Sequence, residues 1–182
     1  MMNFKVFYDK MSTRSEFMKK ILYLIGVLIL AFLLAFTITL DFINISKKET
    51  FKENDFQITL TNDFKANDLA GATAYFESNK AIVVAKKEDL KDLKDLGIKK
   101  NSSLEDYAKV ILRANDSDYT LQKKGNIIYY EYESKVEDNL FYYFVTVAKS
   151  DDAFWVISFA SHESNKNIYK PEFIKWAKSI KV

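Results

Sequence analysis

The chain has 182 residues, 48% of them hydrophobic and 29% charged, with four glycines and one proline, which suits one folded domain plus an appendage. It has no cysteine and one histidine, which excludes disulfide frameworks, thiolate zinc sites, iron–sulfur clusters and multi-histidine metal sites. The 27 basic and 25 acidic groups leave a formal charge of +2, too small a whole-chain field to hold a polyanion.

Residues 1–20 read as a cytoplasmic basic tail. Phe4, Phe7, Tyr8 and Met11 recur at helical spacing among lysines, which suits either a short helix lying on the membrane surface or a frayed tail. Residues Ile21 to Leu40 carry no charge, and 17 of the 20 are hydrophobic. A helix of that length spans about 30 Å, the thickness of a bilayer's hydrocarbon core. This segment is therefore expected to be a single transmembrane helix, an uncleaved signal anchor. Lys5, Lys10, Arg14, Lys19 and Lys20 against Asp9 and Glu16 give +3 before it, which places the amino terminus in the cytoplasm and the remainder outside. The rival is a cleaved signal peptide and a secreted domain. It is disfavoured because the apolar run exceeds a signal core of roughly 7 to 15 residues and no small-x-small site follows. Residues 41–54 are expected to be a polar linker, and the extracytoplasmic domain to occupy 55–182.

In the domain, Phe56, Ile58 and Leu60 alternate with Gln57, Thr59 and Thr61, a half-buried strand ending at the turn signal Asn62-Asp63. Thr73 to Glu77 and Ala81 to Lys86 read as two more strands. Leu90, Leu93 and Leu96 predict a short amphipathic helix stopped by Gly97. Ser102-Ser103-Leu104-Glu105 then reads as a capping box opening a helix with the stripe Leu104, Ala108, Ile111 and Leu112. Tyr119 to Lys123, Ile127 to Val136, Leu140 to Lys149 and Ala153 to Ser161 follow, separated by two or three residues, so they form an antiparallel four-strand meander. In the last two strands odd positions give Tyr143, Val145, Val147, Trp155, Ile157 and Phe159, and even positions give Tyr142, Phe144, Phe154 and Val156. Both sheet faces are apolar, so both need covers. A final helix is expected to begin near Pro171 and bury Phe173, Trp176, Ala177 and Ile180. The derived fold is α+β, an antiparallel sheet covered by helices on both faces in an α/β/α sandwich, preceded by one transmembrane helix.

The opening Phe56-Gln57-Ile58-Thr59-Leu60-Thr61-Asn62-Asp63-Phe64 resembles the first strand and turn of PsbP-like domains, named after an extrinsic photosystem subunit. The close is similar too: Ala153-Phe154-Trp155-Val156-Ile157-Ser158-Phe159, then Tyr169, Phe173 and Ser179-Ile180-Lys181. The resemblance covers roughly residues 51–182 and departs from the family at Thr61, where a proline commonly stands. It implies a membrane-anchored bacterial member of a superfamily whose proteins mostly act as non-enzymatic binding or assembly factors, including a regulator of the nuclear-import GTPase and envelope proteins. Its motifs are packing patterns and carry no catalytic signature.

The remaining chemistry is sparse. His162 sits in Ser161-His162-Glu163-Ser164, where strand neighbours point to opposite faces, so a serine–histidine–carboxylate arrangement is not expected. Glu131 and Glu133 share a strand face with Lys135, and a close carboxylate pair is glycosidase apparatus, which gives the alternative of a cell-wall-directed hydrolase. Asn115-Asp116-Ser117-Asp118 gathers oxygens but lacks the glycine and distal glutamate of a calcium loop. No glycine-rich phosphate loop exists. Residues 41–182 hold 22 basic and 23 acidic groups, so no nucleic-acid partner is expected. No catalytic residue, cofactor or metal site is expected. The expected function is a binding or assembly module contacting an envelope protein or a small ligand, with Tyr129, Tyr130, Tyr132, Glu131 and Glu133 as the candidate surface.

Overall fold

The computed structural model describes residues 47–115 and 117–182. The expected tail, the expected span at 21–40 and the first part of the expected linker lie outside the described residues, as does Asp116. Among the described residues no helix is long and apolar enough to cross a membrane.

Residues Lys47–Val182 form one unit. Its strands are β1 (Lys48–Glu53), β2 (Phe56–Thr61), β3 (Lys65–Ala66), β4 (Ala74–Glu77), β5 (Ala81–Asp89), β6 (Gln122–Lys124), β7 (Ile127–Val136), β8 (Asn139–Lys149) and β9 (Ala153–His162). Helix α1 (Leu104–Ala114) separates β5 from β6, and α2 (Lys166–Lys178) follows β9. Seven strands make an antiparallel sheet in the order β3-β4-β5-β9-β8-β7-β6, while β1 and β2 form a separate hairpin. The expected meander is present as β6 to β9. Its last strand then pairs with β5, from Ala81↔Ser161 to Asp89↔Ala153. The β6–β7 turn is Gly125-Asn126, and Gly125 has φ of +66°, a conformation that costs a side-chain-bearing residue energy.

The register sorts the central side chains onto two faces. On the first face Phe144 pairs with Phe159 and Thr146 with Ile157; on the second, Val145 pairs with Ser158 and Val147 with Val156. The first face is sealed by Phe56, Ile58 and Leu60 from β2 and by Phe173, Ile174, Trp176 and Ala177 from α2. Phe159 lies 5.3 Å from Phe173 and 5.9 Å from Phe144, ring centre to ring centre. The second face receives Tyr107, Ala108 and Leu112 from α1, with Leu93 and Ile98 from the preceding loop. The fold class is therefore α+β, an antiparallel sheet with one helix on each face.

Several local expectations need correction. Residues 48–53, expected as linker, form β1: its rungs run from Lys48↔Thr61 to Glu53↔Phe56, and Phe51 packs on Phe76 at 5.5 Å. Asn54, at φ of +50°, closes the two-residue turn, so charged side chains ride on the solvent side of a paired strand. The helix expected over Leu90–Leu96 is a single 3-10 turn at Lys94–Leu96. β5 continues through Asp89 and leaves too few residues to nucleate a helix; Leu93 is buried while Leu96 is exposed. The capping box is displaced by one position. Ser103 Oγ accepts from the Asp106 amide and Asp106 Oδ2 accepts from the Ser103 amide. Strand β6 begins at Gln122 rather than Tyr119. Finally, α2 begins at Lys166, with Pro171 inside it. Pro171 lies on the exposed side, where water can satisfy the carbonyl that loses its amide donor.

Phe159→Ala should destabilise the domain by about 3–5 kcal/mol, because it empties the contact between sheet and α2. Urea unfolding followed by tryptophan fluorescence measures this.

Candidate functional site

Alternation along β7 divides the expected surface. Tyr129, Glu131 and Glu133 lie on the first face, and Tyr130 and Tyr132 on the second. Tyr129 is core rather than surface. Its ring stacks on Phe144 at 4.5 Å and its hydroxyl donates to Gln122 Oε1 at 3.0 Å. Tyr130 is also buried, against Leu112 and Val145. Of the three tyrosines only Tyr132 keeps partial exposure.

The two glutamates bind α2. Glu131 accepts from Lys170 Nζ at 2.7 Å, from the Tyr142 hydroxyl at 2.6 Å and from Gln122 Nε2 at 3.1 Å. Glu133 accepts from Lys166 Nζ at 2.7 Å, and that ammonium also lies 5.2 Å from the centre of the Tyr142 ring. Burial works against ionisation of Glu131, but the bonds from Lys170, Tyr142 and Gln122 outweigh it and hold the carboxyl below its ordinary value. For Tyr142, burial first and the Glu131 bond second raise the phenol far above its ordinary value. The arrangement is a latch between β7 and α2. Lys135, on the same strand face, pairs with Asp138 at 3.7 Å.

Ser161 and His162 diverge as strand neighbours do. Ser161 is buried and donates to the His162 carbonyl, while His162 is exposed and stacks on Phe141 at 4.7 Å. Asn115 closes α1, its Nδ2 donating to the Ile111 carbonyl. Among the described residues no group of three acidic or histidine side chains could hold a metal ion.

The second face carries a concave feature. Helix α1 covers only part of it, packing Tyr107 against Phe154 with ring centres 4.6 Å apart and planes tilted by 34°. Beside the helix lies a groove of about 360 Å³, walled by Val110, Ile111 and Ala114 from α1 and by Val84, Val145 and Val156 from the sheet. At one part of its lining, Glu88 accepts from the Tyr107 hydroxyl at 2.7 Å and from Lys86 Nζ at 2.9 Å. Burial and then the Glu88 bond push the Tyr107 phenol well up, so it remains a neutral donor. Elsewhere the groove meets Tyr130 and Tyr132, members of a tyrosine ladder. Tyr119 and Tyr143 lie on either side of Tyr132 at 5.0 and 4.7 Å, with planes within 7°. Burial, then the neighbouring tyrosines, pushes the Tyr132 phenol up to about 12.

Sequence reasoning missed Lys86, Glu88, Tyr107 and Ser158 of this groove. The usable signal was parity. Glu88 shares its parity with Val84 and Lys86, but only the pairing of β5 with β9 puts them beside Val156 and Ser158.

No family model matches the chain, and no curated protein is similar to it. Among solved structures, it is similar to the cyanobacterial PsbP, CyanoP, from Synechocystis, with 16% identity over 76% of this chain and 94% of that one and a TM-score of 0.48. It is also similar to a protein of Bacteroides thetaiotaomicron, with 16% identity over 76% of this chain and a TM-score of 0.47; the chain spans 48% of that protein's length.

The β7–α2 latch has a predictable pH signature. A carboxyl held below its ordinary 4.5 adds stability that is present above that value and disappears as pH falls through the folded-state value. Glu131→Gln should cost about 1–2 kcal/mol at neutral pH, and its deficit against wild type should shrink on acidification below about pH 4. Urea titrations across a pH series measure both effects.

Proposed function

We propose that residues 48–182 are a non-catalytic, PsbP-like binding or assembly module. In this reading a span at Ile21–Leu40 holds the module outside the cytoplasm, with the amino terminus inside, and the module contacts an envelope protein or a small ligand. The observation that carries the binding role is the half-covered second face, where a groove of about 360 Å³ borders α1. Small-molecule sites are concave and mostly apolar with a few placed polar groups, and this groove has both. The membrane placement rests on the uncharged run and its basic flank. The family reading rests on the residue resemblance of β2 and its following turn, of β9 and of the final helix.

The hydrolase alternative draws no support from its proposed carboxylates. Glu131 and Glu133 are held by Lys170 and Lys166, and they lie on the sheet face away from the groove. A glycosidase needs its pair free and facing a bound sugar.

Photo-crosslinking in intact membranes tests the module. A crosslinker at Val110 or Tyr132 should trap one discrete adduct, and the same group at Lys175, on the exposed side of α2, should not. Absence of any adduct from the groove positions, or equal labelling from Lys175, would count against the reading.

A further inference from the structure

The groove beside α1 runs obliquely across the sheet. Its lining reaches from Glu88 on β5 to Tyr132 on β7, which lie six rungs and three strands apart. At about 3.3 Å per residue and about 4.8 Å between strands, that separation is roughly 20–25 Å between Cα positions. A volume of about 360 Å³ drawn out over such a length has a mean section of roughly 15–20 Å². That section suits a single file of carbon atoms and is too narrow for a peptide with its side chains.

The walls are aliphatic, with Val110, Ile111 and Ala114 on the α1 side and Val84, Val145 and Val156 on the sheet side. The charged groups of the lining and their neighbours satisfy one another. Lys86 pairs with Glu88 at 2.9 Å, Glu88 also accepts from the Tyr107 hydroxyl, and the Asn115 amide donates to the Ile111 carbonyl. The two charges cancel, so the lining complements an uncharged chain and offers an ion no net field. The backbone is equally closed, because β5, β9 and β8 are interior strands with a neighbour on each side. An extended peptide laid along them would bury amides without partners, since strand addition needs an open sheet edge. A row of methylenes has no polar group to satisfy and gains from each one it buries.

We propose that this groove binds one linear acyl chain, that of a single-chain fatty acid. The chain lies along α1 between the helix wall and the sheet wall, with its carboxylate beyond the end of the groove in water. The groove is preformed: Tyr107 is fixed on Phe154 and by its bond to Glu88, and α1 is fixed by its capping box. This deepens the binding reading above and rests on it.

The test uses the purified full-length chain in phosphatidylcholine vesicles, with hexadecanoic acid bearing a diazirine at mid-chain as the probe. Irradiation should label α1 and β9 saturably, read by mass spectrometry of the digested chain, and should spare the exposed side of α2 around Lys175. The vesicle lipid is in large excess, so a groove that takes a two-chain lipid would already be filled and would show no labelling. Unlabelled hexadecanoic acid should compete, and octanoic acid at equal free concentration should compete at least about tenfold more weakly, because it buries fewer methylenes. Ala114→Phe, at an exposed position on the groove wall, should cut the labelling of β9 by about tenfold or more, and Val84→Phe is a second blocking variant should the first fail to fold. The fluorescence of Trp155 and Trp176, both on the opposite face, reports whether each variant is folded. Absent or non-saturating labelling, equal labelling of α2, equal competition by octanoic acid, or undiminished labelling in a folded blocking variant would overturn the proposal. Absent labelling together with a discrete crosslinked protein partner would overturn the acyl ligand and leave the binding module standing. Saturable labelling of the groove without any protein partner would support the ligand and remove the protein-contact reading.

Discussion

Strands β8 and β9 carry bulky side chains on both faces, and this two-sided burial is the constraint that organises the domain. Phe144, Trp155, Ile157 and Phe159 face one way, and Val145, Val147 and Phe154 the other; all of them are buried. Neither strand can lie at a sheet edge or face water, so β5 and β7 must flank the pair and separate layers must close above and below. The short edge strands β3 and β6 finish the sheet with two and three residues, which limits the open hydrogen-bonding edge available to another chain.

The two covers are unequal, and that inequality makes the two faces of the domain structurally different. The first face has the 13-residue α2, the β1–β2 hairpin and the latch from Glu131 and Glu133 to two lysines of α2. The second face has the 11-residue α1, which reaches only one part of the sheet. Large side chains on the uncovered part, Tyr132 and Tyr143 among them, pack against each other instead of against a helix. Stacking among strand neighbours stabilises a row of rings without a layer above it, and so leaves room for a groove.

The central architecture was legible in the sequence because period and parity are local. The alternation of β2, the meander over β6 to β9 and the two-sided apolar pattern of β8 and β9 all follow from neighbouring residues. What was not legible depended on partners distant in sequence. Strand β1 is dominated by Lys48, Glu49, Lys52 and Glu53, and only its pairing with β2 makes it a strand. Pro171 resembles a helix start until Glu163–Asn165 and Lys166–Tyr169 are seen coiling ahead of it. Parity alone separates Glu131 from Tyr132, but it cannot reveal that Glu131 meets Lys170, 39 positions away. The groove was the least legible feature, since its walls come from β5, α1, β7, β8 and β9 together.

Strand β2 is bound on both edges. On one side it carries β1, with Lys47 accepting a bond from the Asn62 amide at 2.9 Å; on the other, Gln57 exchanges two backbone bonds of 2.9 Å with Lys181. A pull transmitted through residue 47 therefore bears on the open end of a hairpin, where Lys48 faces Thr61. Such a load strains one rung at a time, beginning with the Lys47–Asn62 bond, and meets the core first where Phe51 of β1 packs on it. The last rungs of β1 are the more firmly held, because Phe51 packs on Phe76 and Glu53 accepts from the Tyr75 amide, which ties this end of the hairpin to the seven-stranded sheet.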